Sequence, residues 1–99
     1  MDVFVTRREE RFVWDSDKAS ANFVKHGVSF DEALEVFFDV LYRLIDASIP
    51  GEAREAAIGL SGLPRLLVVV NIEVENDTTR IISARPANAA EKRDYEEFA

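Results

Sequence analysis

Apolar and polar positions change period along this chain, and the changes mark its elements. Residues 3–14, VFVTRREERFVW, set apolar β-formers on either side of a charged middle, which predicts one long strand or two short ones. The first ten residues are equally compatible with a loose extension, because chain ends order only when something ties them down. Asp15 is placed to N-cap a helix over residues 16–26, and Gly27 to end it in a left-handed conformation. A second helix follows at once. Ser29 and Glu32 form a capping box, Val28 and Ala33 a hydrophobic staple, and Phe30, Ala33, Leu34, Phe37 and Phe38 recur as a buried stripe. Asp31, Glu32, Glu35 and Asp39 fall on the opposite side, predicting a solvated acidic face.

From Leu41 the period is two. Strands are predicted over 41–46, 54–60, 65–74 and 79–84, separated by turns at Ile49-Pro50-Gly51, 61–64 and Asn76-Asp77. The LLVVV run of 66–70 is apolar on both faces and predicts the central strand. Asn88 and Glu91 cap a short terminal helix that should turn Ala90, Tyr95 and Phe98 inward. The order β-α-α-β-β-β-β-α, with two helices between the first and second strands and one at the C-terminus, predicts an α+β architecture: helices gathered on one side of a mainly antiparallel meander. Residues 1–99 read as a single compact domain, with no repeat, linker or low-complexity segment.

Composition narrows the chemistry. Ninety-nine residues support one modest core, and 47% apolar content with 31% charge argues against disorder. A longest apolar run of five residues cannot cross a bilayer, and no basic-then-apolar signal pattern opens the chain, so a cytoplasmic protein is expected. Zero Cys and one His disfavour disulfides, thiolate metal sites and multi-imidazole sites, so neither metal nor cofactor is expected. The net charge of −7 is unusual for a nucleic-acid binder, yet residues 31–60 alone carry seven acids against two bases while residues 1–30 are balanced. What matters is whether the cations converge on folding.

Two groups of residues are candidates to do so. The first is on the first helix, where Lys18, Asn22, Lys25 and His26 lie on adjoining helical rows and present an anion-facing edge. A His and a Lys beside a C-cap glycine also suit the helix dipole, so a purely structural role stays open. The second is Arg80-Ile81-Ile82-Ser83-Ala84-Arg85. Strict strand alternation sends the two guanidinium groups to opposite faces unless a bulge intervenes. Arg54, which opens another strand, is able to meet either one.

Trp14-Asp15, Lys18, Asn22, the run Lys25-His26-Gly27-Val28-Ser29-Phe30, Ala33, Arg54, Gly59, the run from Arg80 to Arg85, Ala87, Glu91 and Tyr95 together resemble the pattern of the BrnT family of type II toxins, across about residues 12–97. The resemblance implies a small ribonuclease with a RelE-like fold, neutralised by a BrnA-type antitoxin that carries a ribbon-helix-helix domain and so reaches operator DNA only through that antitoxin. A metal-independent endoribonuclease cutting single-stranded RNA uses the 2′-hydroxyl as nucleophile and needs proton transfer and cationic stabilisation at phosphorus. On that expectation His26 is the candidate general acid or base, and Lys25, Arg54 and Arg85 bind phosphate and stabilise its developing charge. Lys18, Asn22 and Arg80 extend the RNA contact. Trp14 and Tyr95 are candidates to stack on bases, or else to serve the core. The sequence departs from the family pattern where Pro86 replaces a Lys of R-K-A and where the terminal helix is mixed rather than basic. This predicts weaker, more salt-sensitive RNA binding, or a non-catalytic homologue that acts as an antitoxin-binding co-repressor.

Overall fold

The computed structural model describes residues 1–98, apart from the side chain of Phe98, so the expected inward packing of that ring lies outside the described residues. The elements run β1 (Asp2–Arg7), β2 (Glu10–Asp15), α1 (Ser16–His26), α2 (Phe30–Ala33) continued by a 3₁₀ segment (Leu34–Phe38), β3 (Arg43–Asp46), β4 (Glu55–Leu60), β5 (Leu66–Val74), β6 (Thr78–Pro86) and α3 (Ala89–Phe98). They build a single α+β domain.

The amino-terminal segment resolves into two strands, so α1 and α2 lie between the second and third strands. Arg8 and Glu9 turn the chain with φ values of 51° and 70°, and β1 pairs antiparallel with β2 in full register from Asp2↔Asp15 to Arg7↔Glu10. Hairpins favour this doubly left-handed turn because its twist matches the strands, but Asn and Gly normally supply it. An Arg-Glu turn carries no such signal. The hairpin is tied down where the Ser16 N–H donates to the Met1 carbonyl at 2.8 Å.

The sheet order is β1-β2-β6-β5-β4-β3. Strands β3 to β6 form the expected antiparallel meander, while β2 joins β6 in parallel from Arg11↔Thr78 to Val13↔Arg80. β5 is interior and buried on both faces, as its apolar run predicted. The reason is that helices cover both sides of the sheet, not one. Against one face, α1, α2 and the 3₁₀ segment bring Val28, Phe30, Leu34 and Val36 onto Ala57, Leu67, Val69 and Ala84. Against the other, α3 and its approach bring Tyr95 and Ala87 onto Ala56, Ile58 and Val68. Ala90, expected inside, is exposed, and Ala87 is buried in its stead.

Local caps follow the sequence closely. Ser29 Oγ accepts from the Glu32 N–H at 3.1 Å, and Asn88 and Glu91 cap α3 reciprocally, with N···O distances of 2.8 and 2.9 Å. Gly59 suits close packing: a Cβ there would lie 3.0 Å from both Tyr42 Cβ and Val36 Cγ1, so a larger residue would make these neighbours give way.

Candidate active site

The site starts at the end of α1. Asp15 accepts from the Lys18 N–H at 3.0 Å and so runs β2 straight into the helix. Gly27, at φ 68° and ψ 21°, closes the helix by donating its N–H to Phe23 O at 2.8 Å. Lys25 and His26 therefore occupy the last turn, Lys25 exposed and His26 partly so, and neither side chain has a partner among the described residues. What holds this turn is a residue the sequence did not suggest. Arg65, at the start of β5, donates from Nη2 to Gly27 O at 2.9 Å and grips Glu32 through Nη2 and, at 2.6 Å, Nε. Ser61 Oγ adds a 2.7 Å bond to the same carboxylate. The Arg65 hydrogen bonds hold the Glu32 carboxyl below its usual range, and Glu32 in turn pushes the Arg65 guanidinium up. Glu32 was expected to reach back to Ser29; it turns instead to Arg65, a pairing 33 residues away that no local pattern encodes.

Asn22, one turn before His26, is buried and fully committed. Its Nδ2 donates to Val28 O at 3.0 Å and Ala84 O at 2.9 Å, and its Oδ1 accepts from the Ala84 N–H at 3.1 Å. The side chain thus replaces a neighbouring strand along β6 where β2 has ended, and it has no group left for RNA.

The arginines of the sheet are arranged by a bulge. Val70 faces Ser83 but Asn71 faces Ile81, so Ile82 is an extra residue on β6. Beyond it the alternation is reset, which puts Arg80, opposite Ile72, and Arg85, opposite Val68, on the same face, that of α3. They do not act together there. Arg85 is bidentate to Glu91, with both N···O distances 2.7 Å, and Arg80 is bidentate to Asp2 at 3.1 and 2.8 Å. Each carboxylate raises its partner guanidinium's pKa and is itself held low. Arg54 binds Glu52 at 2.6 Å just before β4. It lies at the Glu55 end of that strand, whereas Arg65 adjoins the Leu60↔Leu66 end about 17 Å away, so it does not converge on His26. Arg85 is nearer, since Pro86 faces Leu67 at that same end, but it reaches the α1 side only around the β6 edge.

Residues 14–91 match the model of a family described as the ribonuclease toxin, BrnT, of type II toxin–antitoxin systems. The chain belongs to the BrnT family. No curated protein sequence matches it. Among solved structures it is similar to the crystal structure of the Brucella abortus ribonuclease toxin BrnT, with 27% identity, 76% of this chain and 92% of that chain covered, and a TM-score of 0.63. The β1–β2 hairpin up to Val13 and most of α3 stand outside the family match.

For this BrnT-family chain the two aromatic candidates are core residues. Trp14 is 5% exposed and packs edge-on against Phe30, ring centroids 5.9 Å apart at 80°. Tyr95 is 7% exposed and donates its hydroxyl to Asp39 Oδ2 at 2.5 Å, so neither ring presents a face for a base to stack on. Among the described residues no group of three or more His, Cys, Asp or Glu is placed to hold a metal ion, and no helix is long and apolar enough to cross a membrane. Pro86 costs the sheet nothing. Because the Ala87 N–H donates to Leu66 O at 2.9 Å, its neighbour Pro86 faces away from β5, where a missing N–H breaks no ladder bond. The cations left without a carboxylate or ring among the described residues include Lys18, Lys25 and His26, all on α1.

Proposed function

We propose that this BrnT-family toxin is a metal-independent endoribonuclease of single-stranded RNA, working in the cytoplasm and inhibiting translation. The observation that carries the reading is the pair Lys25 and His26: both side chains are unpartnered among the described residues, in a helix turn pinned by Gly27 and Arg65. In the reaction the 2′-oxygen attacks phosphorus, the bond to the 5′-oxygen breaks, and the products are a 2′,3′-cyclic phosphate and a 5′-hydroxyl. His26 carries one of the two proton transfers and solvent the other. Lys25 binds the scissile phosphate, Lys18 tracks the strand along α1, and Arg85 reaches phosphate around the β6 edge by exchanging Glu91 for the substrate. Arg54, Asn22, Trp14 and Tyr95 have no part in the chemistry. The partner is a BrnA-like ribbon-helix-helix antitoxin, through which alone operator DNA is bound.

The test is cleavage of RNA by the purified, antitoxin-free chain in excess EDTA, beside His26→Ala. Cleavage by the wild type and loss in the variant support the reading. Equal cleavage by both removes His26 from the mechanism, and no cleavage by the wild type leaves the non-catalytic, co-repressing homologue.

A further inference from the structure

The helical layer covers only one half of its sheet face. Asn22 borders β6 at Ala84, and Val36 and Asp39 lie against Gly59, but past Phe37 and Phe38 the face is open. There the strands floor a cavity of about 320 Å³. Phe37, Phe38 and Tyr42 form its aromatic side with Phe12, which meets Phe37 tilted and Phe38 edge-on at centroid distances of 5.6 and 6.2 Å. Its charged groups are the carboxylates of Glu10, Glu55 and Glu73, none of which has an ion-pair partner among the described residues. Register puts two of them on this face of the sheet, since Glu55 faces Asn71 on β5 and Glu73 faces Thr79 on β6. Asn71 lines the cavity as well. It is 4% exposed and donates Nδ2 to Glu55 O at 3.3 Å and Val69 O at 3.0 Å, which leaves Oδ1 with no donor among the described residues in a side chain that lines the cavity.

A chamber of three carboxylates, an amide oxygen and aromatic rings is short of donors and positive charge. It repels phosphate, so it is not part of an RNA site. The chemistry that fits is a flat cation rich in N–H groups. A guanidinium supplies five donors and stacks on aromatic rings, and one of the lining rings already carries one, since Arg8 lies 4.9 Å from the Phe38 centroid. The mouth adjoins β3, an edge strand whose Leu44, on the cavity's face, and Ile45, on the opposite face, are both more than 40% exposed. A free small cation would leave those side chains in water, whereas a polypeptide laid along β3 would cover them.

We propose that this cavity receives an arginine side chain of the antitoxin, anchoring a segment that runs along β3. This rests on membership of a type II toxin family, which implies an antitoxin partner. Two measurements test it. In an NMR titration, N-acetyl-arginine amide should shift the Asn71 side-chain amide and Tyr42 signals, while the neutral isostere N-acetyl-citrulline amide should not. In a binding assay, E55Q/E73Q should weaken the antitoxin complex at least tenfold, with the effect shrinking at high salt. Equal response to both amides, no response to either, or unchanged antitoxin affinity in the variant overturns the proposal. If the wild-type chain binds no antitoxin, the partner reading fails by itself, and the arginine titration still judges the cavity.

Discussion

The two ends of one sheet face carry opposite unpaired charge. At the end where β4 passes to β5, Lys25 and His26 stand without partners among the described residues beside the Arg65–Glu32 clasp. At the other, Glu10, Glu55 and Glu73 line an aromatic cavity, again without ion-pair partners among the described residues. The sum of −7 hides this arrangement. Acids expected on a solvated helix face are in fact engaged: Glu32 by Arg65, Glu35 by Arg7 at 2.6 Å, and Asp39 by Tyr95 and the Leu60 and Leu41 N–H groups. The arginines that looked most like a site are engaged as well, by Asp2, Glu52 and Glu91. The charge left after internal pairing at these two ends is cationic at one and anionic at the other, and the proposed function rests on that contrast.

The largest effect expected from breaking the cationic end is catalytic. His26→Ala should lower the rate of RNA cleavage by about 100-fold or more, the usual contribution of a positioned acid or base. Because the imidazole has no partner among the described residues, the unfolding midpoint should hold, so circular dichroism melts separate lost chemistry from lost fold. A variant that cleaves at the wild-type rate would strip this end of its assigned role.

Next in size is the residue that supports that end without belonging to it. Asn22→Ala leaves the Ala84 N–H and two carbonyls unsatisfied in a buried setting, and should cost about 2–4 kcal/mol in urea unfolding. Asn22→Asp should not rescue it, since a carboxylate lacks the two donors. A loss below about 0.5 kcal/mol would show that water replaces the amide and that Asn22 is not a strand surrogate.

The contrast between the ends was only half legible in the sequence, for a physical reason. Caps and periodicity are local, so Asp15, Gly27, Ser29 and the Asn88–Glu91 box were readable from neighbours in the chain. The clustering of Lys18, Lys25 and His26 on one helix was readable too. Long-range placement was not. An Arg8-Glu9 turn lacks the residues that announce a hairpin, the extra residue Ile82 has no composition of its own, and nothing near Arg65 points to Glu32. Nor does a strand pattern say on which face α3 will settle. The acidic cavity was invisible because its three glutamates come from β2, β4 and β5 and line one space only once those strands are paired into the sheet.

A smaller effect sharpens how the acids of the 3₁₀ segment differ from those of the cavity. Burial pushes the Asp39 carboxyl up, but hydrogen bonds from the Leu60 N–H, Tyr95 and the Leu41 N–H outweigh it and hold the carboxyl below its usual range. A depressed folded-state value means stability that is present above the unfolded pKa and lost as pH falls through the folded one. Tyr95→Phe should therefore cost about 1–2 kcal/mol at neutral pH, with the difference narrowing in acid once Asp39 is protonated. At high pH the sign comes from the phenol. Burial and the neighbouring Asp39 carboxylate push Tyr95 up to about 12. Wild-type stability should fall between roughly pH 10 and that value, where the unfolded phenol ionises first, and the Phe variant should lack that fall. Parallel pH profiles for the two proteins would show that the hydroxyl does not feel Asp39.

The smallest effect belongs to a pair at neither end. Arg80 and Asp2 join β6 to β1 across the intervening strand with two hydrogen bonds, yet their side chains are 28% and 42% exposed, so water already solvates much of both charges. Arg80→Ala should change unfolding free energy by less than about 1 kcal/mol, and 0.5 M salt should erase most of that difference by screening. Arg65, whose partner Glu32 is only 9% exposed, is the counter-case: removing it strands a carboxylate that has little water to turn to, and its larger loss should persist in salt. If the two arginines prove equally costly, burial of the partner is not what separates a surface tie from the clasp that holds the α1 end.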